Sequence, residues 1–435
     1  MEALALVLFV CIFILILSGY PVAFTLGGLS VIFGLIFLGP EYFNFLPLRI
    51  MGTVTNPVLL AVPLFIFMGI MLEKSGLAES LLETMAMLFG TLKGGLAISV
   101  VLVGALLAAS TGIVGATVIT MGLISLPTML KRGYSTELAT GTIAASGTLG
   151  QIIPPSVVLV LLGSILNVSV GDLFAAALIP GVLLVACYIL YIVIFSLIRP
   201  EKAPSMPAEE IAKFKGAGFF MRVFKAFLLP LILIIAVLGS ILAGVASPTE
   251  ASAIGALGAT ILTVIQGKYN SKVLKEVMQE TTHLTTMVFL ILLGATTFAL
   301  VFRGMGGDDY LIDLIEHAEL SPMAFLLMVM LVVFIAGFFI DFIEIIFIIV
   351  PVVAPIFVNY EMNLIWIGIL LALNLQTSFL SPPFGFSLFY LKGVAPDGVT
   401  TQHLYRGIIP FVIIQLIFLL LVILFPDLVF LLIEQ

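Results

Sequence analysis

Long runs built almost wholly from Leu, Ile, Val, Phe, Ala and Gly recur along the chain. In the first half they lie at about 3–18, 21–38, 55–73, 94–109, 112–130, 138–164 and 173–198. A hydrocarbon core of ~30 Å is crossed by about 20 helical residues, and a helix satisfies its own backbone polar groups where no water can. The runs lack the ~10-residue alternation of a membrane β-barrel strand. Only 9% of the 435 residues are charged, against about 25% in an average soluble domain. The fold class expected is therefore an all-α polytopic membrane protein with the bilayer as its solvent and no nucleic-acid partner. The opening segment MEALALVLFVCIFILILSGYP has neither a basic n-region nor an A-x-A site and reads as a retained helix.

Little in the chain suggests enzymatic chemistry. Cys11 and Cys187 lie within apolar runs and read as small core residues. His283 falls at a span edge and His317 and His403 in loops, with no zinc-site spacing among them. There is no GxSxG elbow, no HExxH and no second aspartate paired with Asp341, which argues against an intramembrane enzyme and against any cofactor.

One charge- and proline-rich stretch, residues 199–225, divides the chain. Beyond it apolar runs recur at about 226–245, 248–266, 284–302, 323–340, 342–358, 364–392 and 407–432, matching the first set in number and order. Pro154-Pro155 pairs with Pro382-Pro383, and Pro180 with Pro410. The expected organisation is a repeat at 1–198, a linker at 199–225 and a second repeat at 226–435. In each repeat two short arms meet at a tight tip, at about 94–130 and 322–358. Such arms suit a re-entrant hairpin whose tip is buried in protein. Five further crossings per repeat, an odd number, invert the second repeat relative to the first. With the linker in the cytoplasm, every basic residue except Arg49 and Arg303 faces inside and both termini face outside.

Each hairpin is followed by a long apolar run interrupted near its middle, SGTLGQIIPPS within 138–164 and NLQTSFLSPPFG within 364–392. Adjacent prolines remove backbone donors and break a helix, and a break at membrane depth must face protein, water or a ligand. Matched breaks in inverted repeats point to a midplane transport site. Ser146, Gly147, Thr148, Gly150, Gln376, Thr377 and Ser378 supply neutral oxygens and close backbone approach there. With Ser110, Thr111 and Gly112 at the first hairpin tip and Gly337 and Asp341 at the second, they form the expected sodium set. Gln151, Pro154, Pro155, Ser156, Ser381, Pro382 and Pro383 form the expected substrate set. Asp341 and Glu344 are intramembrane acids and functional candidates by default. Glu250, in ASPTEAS, reads as a capping residue.

The segments GTLGQIIPPS, QTSFLSPPFG, SPTEASAIGA and VPLFIFMGIMLEKSG resemble motifs of the large membrane subunit of tripartite ATP-independent periplasmic (TRAP) transporters, within the ion transporter superfamily. The resemblance covers essentially the whole chain. It implies a sodium-coupled secondary importer in a bacterial or archaeal inner membrane. A small organic acid would be delivered by a periplasmic substrate-binding protein, assisted by a small four-helix membrane subunit on a separate chain. It further implies an elevator mechanism in which hairpins and broken helices form the moving transport domain and the other helices the scaffold. A stand-alone sodium/dicarboxylate carrier or ion antiporter is the alternative within the same architecture.

Overall fold

The computed structural model describes residues 2–112, 114–207, 211 and 219–433, without the side chains of Ser110, Thr111, Phe220, Arg222 and Lys225. The described residues are helical apart from turns and short connections. In the first half they form α1 (Glu2–Leu17), α2 (Val22–Phe37), α3 (Leu46–Val54), α4 (Ala61–Lys74), α5 (Leu77–Phe89), α6 (Gly95–Thr111), α7 (Val114–Lys131), α8 (Thr136–Thr148), α9 (Val157–Leu166) and α10 (Val170–Ile198). In the second half follow α11 (Leu229–Leu242), α12 (Pro248–Ile265), α13 (Ser271–Gly304), α14 (Gly307–His317), α15 (Pro322–Ala336), α16 (Phe342–Ile348), α17 (Val350–Asn359), α18 (Leu364–Leu380), α19 (Phe386–Val394) and α20 (Thr401–Leu424). Among the described residues six helices are long and apolar enough to cross a membrane, or seven when α16 and α17, bent by 51°, count as one span. The chain is an all-helical polytopic membrane protein.

Sequence and structure part company at the amphipathic pieces. Helices α3, α5 and α14 fall between the apolar runs, because a hydropathy reading passes over helices that keep a polar face. The run at 284–302 is the apolar end of the 34-residue α13, whose first half, SKVLKEVMQETTHL, is polar but rich in helix formers. Asn270 starts that helix, its side chain accepting from the Val273 amide at 2.9 Å. His283 consequently lies exposed inside α13 rather than at a span edge. His317 and His403 sit in the last turn of α14 and the first turn of α20 rather than in loops. Glu250 is the cap its position suggests: Ser247 and Glu250 form a reciprocal capping box at the start of α12. Beyond the spans, Arg303 pairs with Asp308 at 3.0 Å, and burial still pushes the Asp308 carboxyl above the usual carboxylate range.

Helix α2 packs along α13, α4 along α12, and α8 along α20. Small residues set the closest crossings, as expected where apolar lipid gives helices little hydrophobic reason to associate. At Gly141 of α8 an added Cβ would overlap the Gly407 carbonyl of α20, and at Gly407 one would overlap the Glu137 carbonyl. The described part of the linker is no free tether. The Ser135 amide donates to the Lys202 carbonyl at 3.0 Å, the Gly94 amide to the Ala203 carbonyl at 2.9 Å, and the Met206 amide to the Gly90 carbonyl at 2.8 Å. A strap thus ties the base of the α6–α7 hairpin to the end of α5 and the start of α8.

Candidate functional site: two broken helices and two hairpin tips

Both expected breaks are present. Helix α8 stops at Thr148, a short 3-10 turn carries Leu149–Gln151, and the chain re-enters helix at Val157. Helix α18 stops at Leu380 and α19 begins at Phe386. The Pro154–Pro155 and Pro382–Pro383 peptide bonds are both cis.

A proline at position i cannot donate to the carbonyl four residues earlier. For Pro155 that carbonyl belongs to Gln151, and for Pro383 to Phe379. Each is taken by a serine hydroxyl: Ser156 Oγ donates to Gln151 O at 3.0 Å, and Ser387 Oγ to Phe379 O at 3.0 Å. The two breaks therefore share one solution to the same missing amide. Ser387 was not singled out from sequence, because its position four residues after the proline pair carries no signal until the turn is seen. Leaving a buried carbonyl bare costs about 1–3 kcal/mol. Ser156→Ala and Ser387→Ala should each lower the unfolding midpoint of the purified chain correspondingly, whereas Ser18→Ala, whose hydroxyl is exposed, should not.

The other break hydroxyls behave alike. Ser146 donates to Ile143 O at 3.0 Å, Thr148 to Ala145 O at 2.9 Å, Thr377 to Leu373 O at 2.7 Å, Ser378 to Leu375 O at 2.8 Å and Ser381 to Thr377 O at 2.8 Å. Their protons are committed to their own helices, so what they offer a ligand is lone pairs. All five are buried. Gln151 and Gln376 are fully buried too; the Gln151 amide finds no hydrogen-bond partner for its nitrogen or oxygen among the described residues, while Gln376 lies beside the Tyr188 hydroxyl. Unpaired buried amides cost free energy that a bound water, ion or ligand would recover.

Each break is packed on its own hairpin by close backbone approach. A Cβ on Gly150 would stand 2.6 Å from the Ala108 carbonyl oxygen, one on Gly147 would overlap Val118, and one on Gly337 would overlap the Ser378 side chain. Asn374 Nδ2 donates to Met330 O on α15 at 2.7 Å. Pro154 and Pro155 are buried, whereas Pro382 is half-buried and Pro383 exposed, its carbonyl accepting from the Tyr405 hydroxyl. The side chains of Ser110 and Thr111 lie outside the described residues.

The two tips meet at one cavity of about 260 Å³. Gly112, in the left-handed conformation at φ 60, turns the first tip and packs against Val157. Asp341 marks the second tip. Both line the cavity with Phe379 and Tyr390, and Ile66 of α4 and Leu284 of α13 close its far wall. Of the expected site residues, these two alone line it among the described residues, and the break hydroxyls lie behind, buried. Asp341 also has a local duty: Oδ1 accepts from the Phe342 amide at 2.6 Å, and Glu344 Oε2 accepts from the Asp341 amide at 3.2 Å, a capping box on α16.

Residues 9–428 match the family model described as "Tripartite ATP-independent periplasmic transporter, DctM component". The chain is 32% identical to the C4-dicarboxylate TRAP transporter large permease protein DctM of Pseudomonas aeruginosa, over 92% of this chain and 91% of that one. It is 29% identical to the sialic acid large permease SiaM of Vibrio cholerae, over 97% and 96%. To the ectoine large permease TeaC of Halomonas elongata it is 28% identical, over 95% of each. Its fold resembles the crystal structure of the Alcanivorax borkumensis YdaH transporter, with a TM-score of 0.62 at 14% identity, covering 93% of this chain and 96% of that one. The chain belongs to the tripartite ATP-independent periplasmic transporter family, as its DctM component, a transporter permease and not an enzyme.

Proposed function

We propose that this permease imports a small carboxylate by sodium symport, receiving it from a periplasmic binding protein and working beside a separate small membrane subunit. The observation that carries the cation is the set of break hydroxyls. Ser146, Thr148, Thr377, Ser378 and Ser381 each donate inward and present acceptor lone pairs, a set that suits a hard cation. In this reading the hairpins α6–α7 and α15–α17 move with their broken helices as one body, and α4, α12 and α13 stand still. The cavity at the tips, walled by both groups, is where substrate passes between them. Arg49 and Arg303 line a second cavity of about 540 Å³ with Asn56 and Ser164; with Arg303 held by Asp308, Arg49 is the cation this mouth offers a carboxylate on the outer side. Names of relatives span C4-dicarboxylates, sialic acid and ectoine, so the carboxylate is proposed as a class.

In proteoliposomes supplied with the binding protein, uptake should require external sodium and vanish in potassium or choline. Full uptake in choline with a proton gradient would overturn sodium coupling, and uptake without any binding protein would favour a stand-alone carrier.

The same reading makes the halves 1–198 and 226–435 inverted repeats. A cysteine introduced at Pro207, which is exposed, should react only from the cytoplasm, and one at Asp309 only from outside. Labelling of both from one side would exclude that topology.

A further inference from the structure

Far from the breaks, a cavity of about 510 Å³ opens where the end of α10 meets the starts of α8 and α20. Arg199, Lys202 and Arg406 line it, and Glu137 is the one acid among the described lining residues. None of the three cations is paired with a carboxylate among the described residues. The remaining wall is mostly apolar, with Leu138, Ile194, Ile198 and Pro410 beside Ser135 and Tyr191. Ile194 and Ile198 are themselves outward-facing, 47% and 71% exposed, on the 29-residue α10, and Pro410 lies on the 24-residue α20. Arg199 caps the end of one of these helices and Arg406 lies in the second turn of the other, so the cations stand near the depth where hydrocarbon gives way to headgroups.

We propose that this cavity holds the headgroup of an anionic glycerophospholipid, its phosphate met by Arg199, Lys202 and Arg406 and its acyl chains lying along α10 and α20. Charge complementarity selects an anion. The apolar wall, continuous with the lipid-facing surface, selects a lipid over a free anion, which has no use for it. Basic pockets between spans on the cytoplasmic side bind lipids of this kind, and the placement rests on the sidedness proposed above. The strap bond from the Ser135 amide to the Lys202 carbonyl fixes Lys202 over the start of α8, so an occupied pocket would touch the helix that carries the first break.

The test is native mass spectrometry of the delipidated full-length chain offered phosphatidylglycerol, phosphatidylcholine or inorganic phosphate. Phosphatidylglycerol should be retained in preference to phosphatidylcholine. At about fivefold per removed charge, the double variant Arg199→Gln/Arg406→Gln should retain about twenty-fivefold less of it, while Arg199→Lys/Arg406→Lys keeps most. Equal retention of the two lipids, which needs no variant to read, would overturn the proposal. So would unchanged retention by a folded Gln variant, or protection by inorganic phosphate as strong as by the lipid, which would mark a soluble-anion site. Retention is read without sodium or substrate, so its failure would leave the transport reading standing.

Discussion

If uptake runs by the proposed sodium symport, Asp341→Asn will leave the chain folded and stop it. The fold is expected to survive because Asp341 supports α16 as an N-cap, and asparagine serves that position as well as aspartate. Glu344 still accepts from the backbone amide of residue 341, so the capping box keeps one of its two arms unchanged. What disappears is a negative charge on the wall of the cavity where both tips meet. Two unit charges about 4 Å apart at an effective dielectric near 20 attract by about 4 kcal/mol, roughly a thousandfold in an equilibrium constant. Sodium dependence of uptake should therefore shift by two to three orders of magnitude on this estimate, with the unfolding midpoint near wild type. Glu344→Gln should cost less, because Glu344 is absent from the cavity wall. A folded Asp341→Asn chain that transports normally would confine Asp341 to capping and leave the breaks alone to hold the ion.

Gly150→Ala is expected to do comparable harm by geometry alone. The new Cβ would stand 2.6 Å from the Ala108 carbonyl oxygen and 3.0 Å from its carbon, both backbone atoms that no rotamer change can move. The first hairpin must then shift away from the first break. Overpacking of this kind costs about 1–3 kcal/mol, and a site of several ligands tolerates displacements of only about 0.5 Å. Uptake should fall by more than tenfold on that reasoning, well beyond what the loss of folded protein accounts for. Gly28→Ala, whose Cβ would meet nothing within 4 Å, is the control and should be silent in both measurements. Parallel loss of transport and of folded chain in Gly150→Ala would reduce this contact to ordinary core packing.

The breaks were legible in the sequence because a doubled proline removes two consecutive amides, whereas the single prolines Pro180 and Pro410 sit inside continuous helices. The capping role of Glu250 was legible for a related reason, since Ser247 and Glu250 sit three residues apart at a helix start. The helices α3, α5 and α14 were not, because their apolar content is spent on one face and averages away. Within the site, the sequence indicated which residues are polar but not where their protons go. The Ser156 hydroxyl proton is held by Gln151 O, and Ser387, which no sequence motif marks, does the same for Phe379 O. The convergence of Gly112 and Asp341, from opposite halves of the chain, on a wall shared with α4 and α13 is a long-range contact that no local pattern records.

The serine that covers the orphan carbonyl directly follows the proline pair in the first break and stands four residues after it in the second. Grafting residues 374–384 in place of 146–156 would therefore put Phe384 where Ser156 stands and carry the Phe379 carbonyl to its new site without Ser387. The two breaks answer the same missing amide with differently placed serines and are not interchangeable parts, and drift in either is constrained by its own serine.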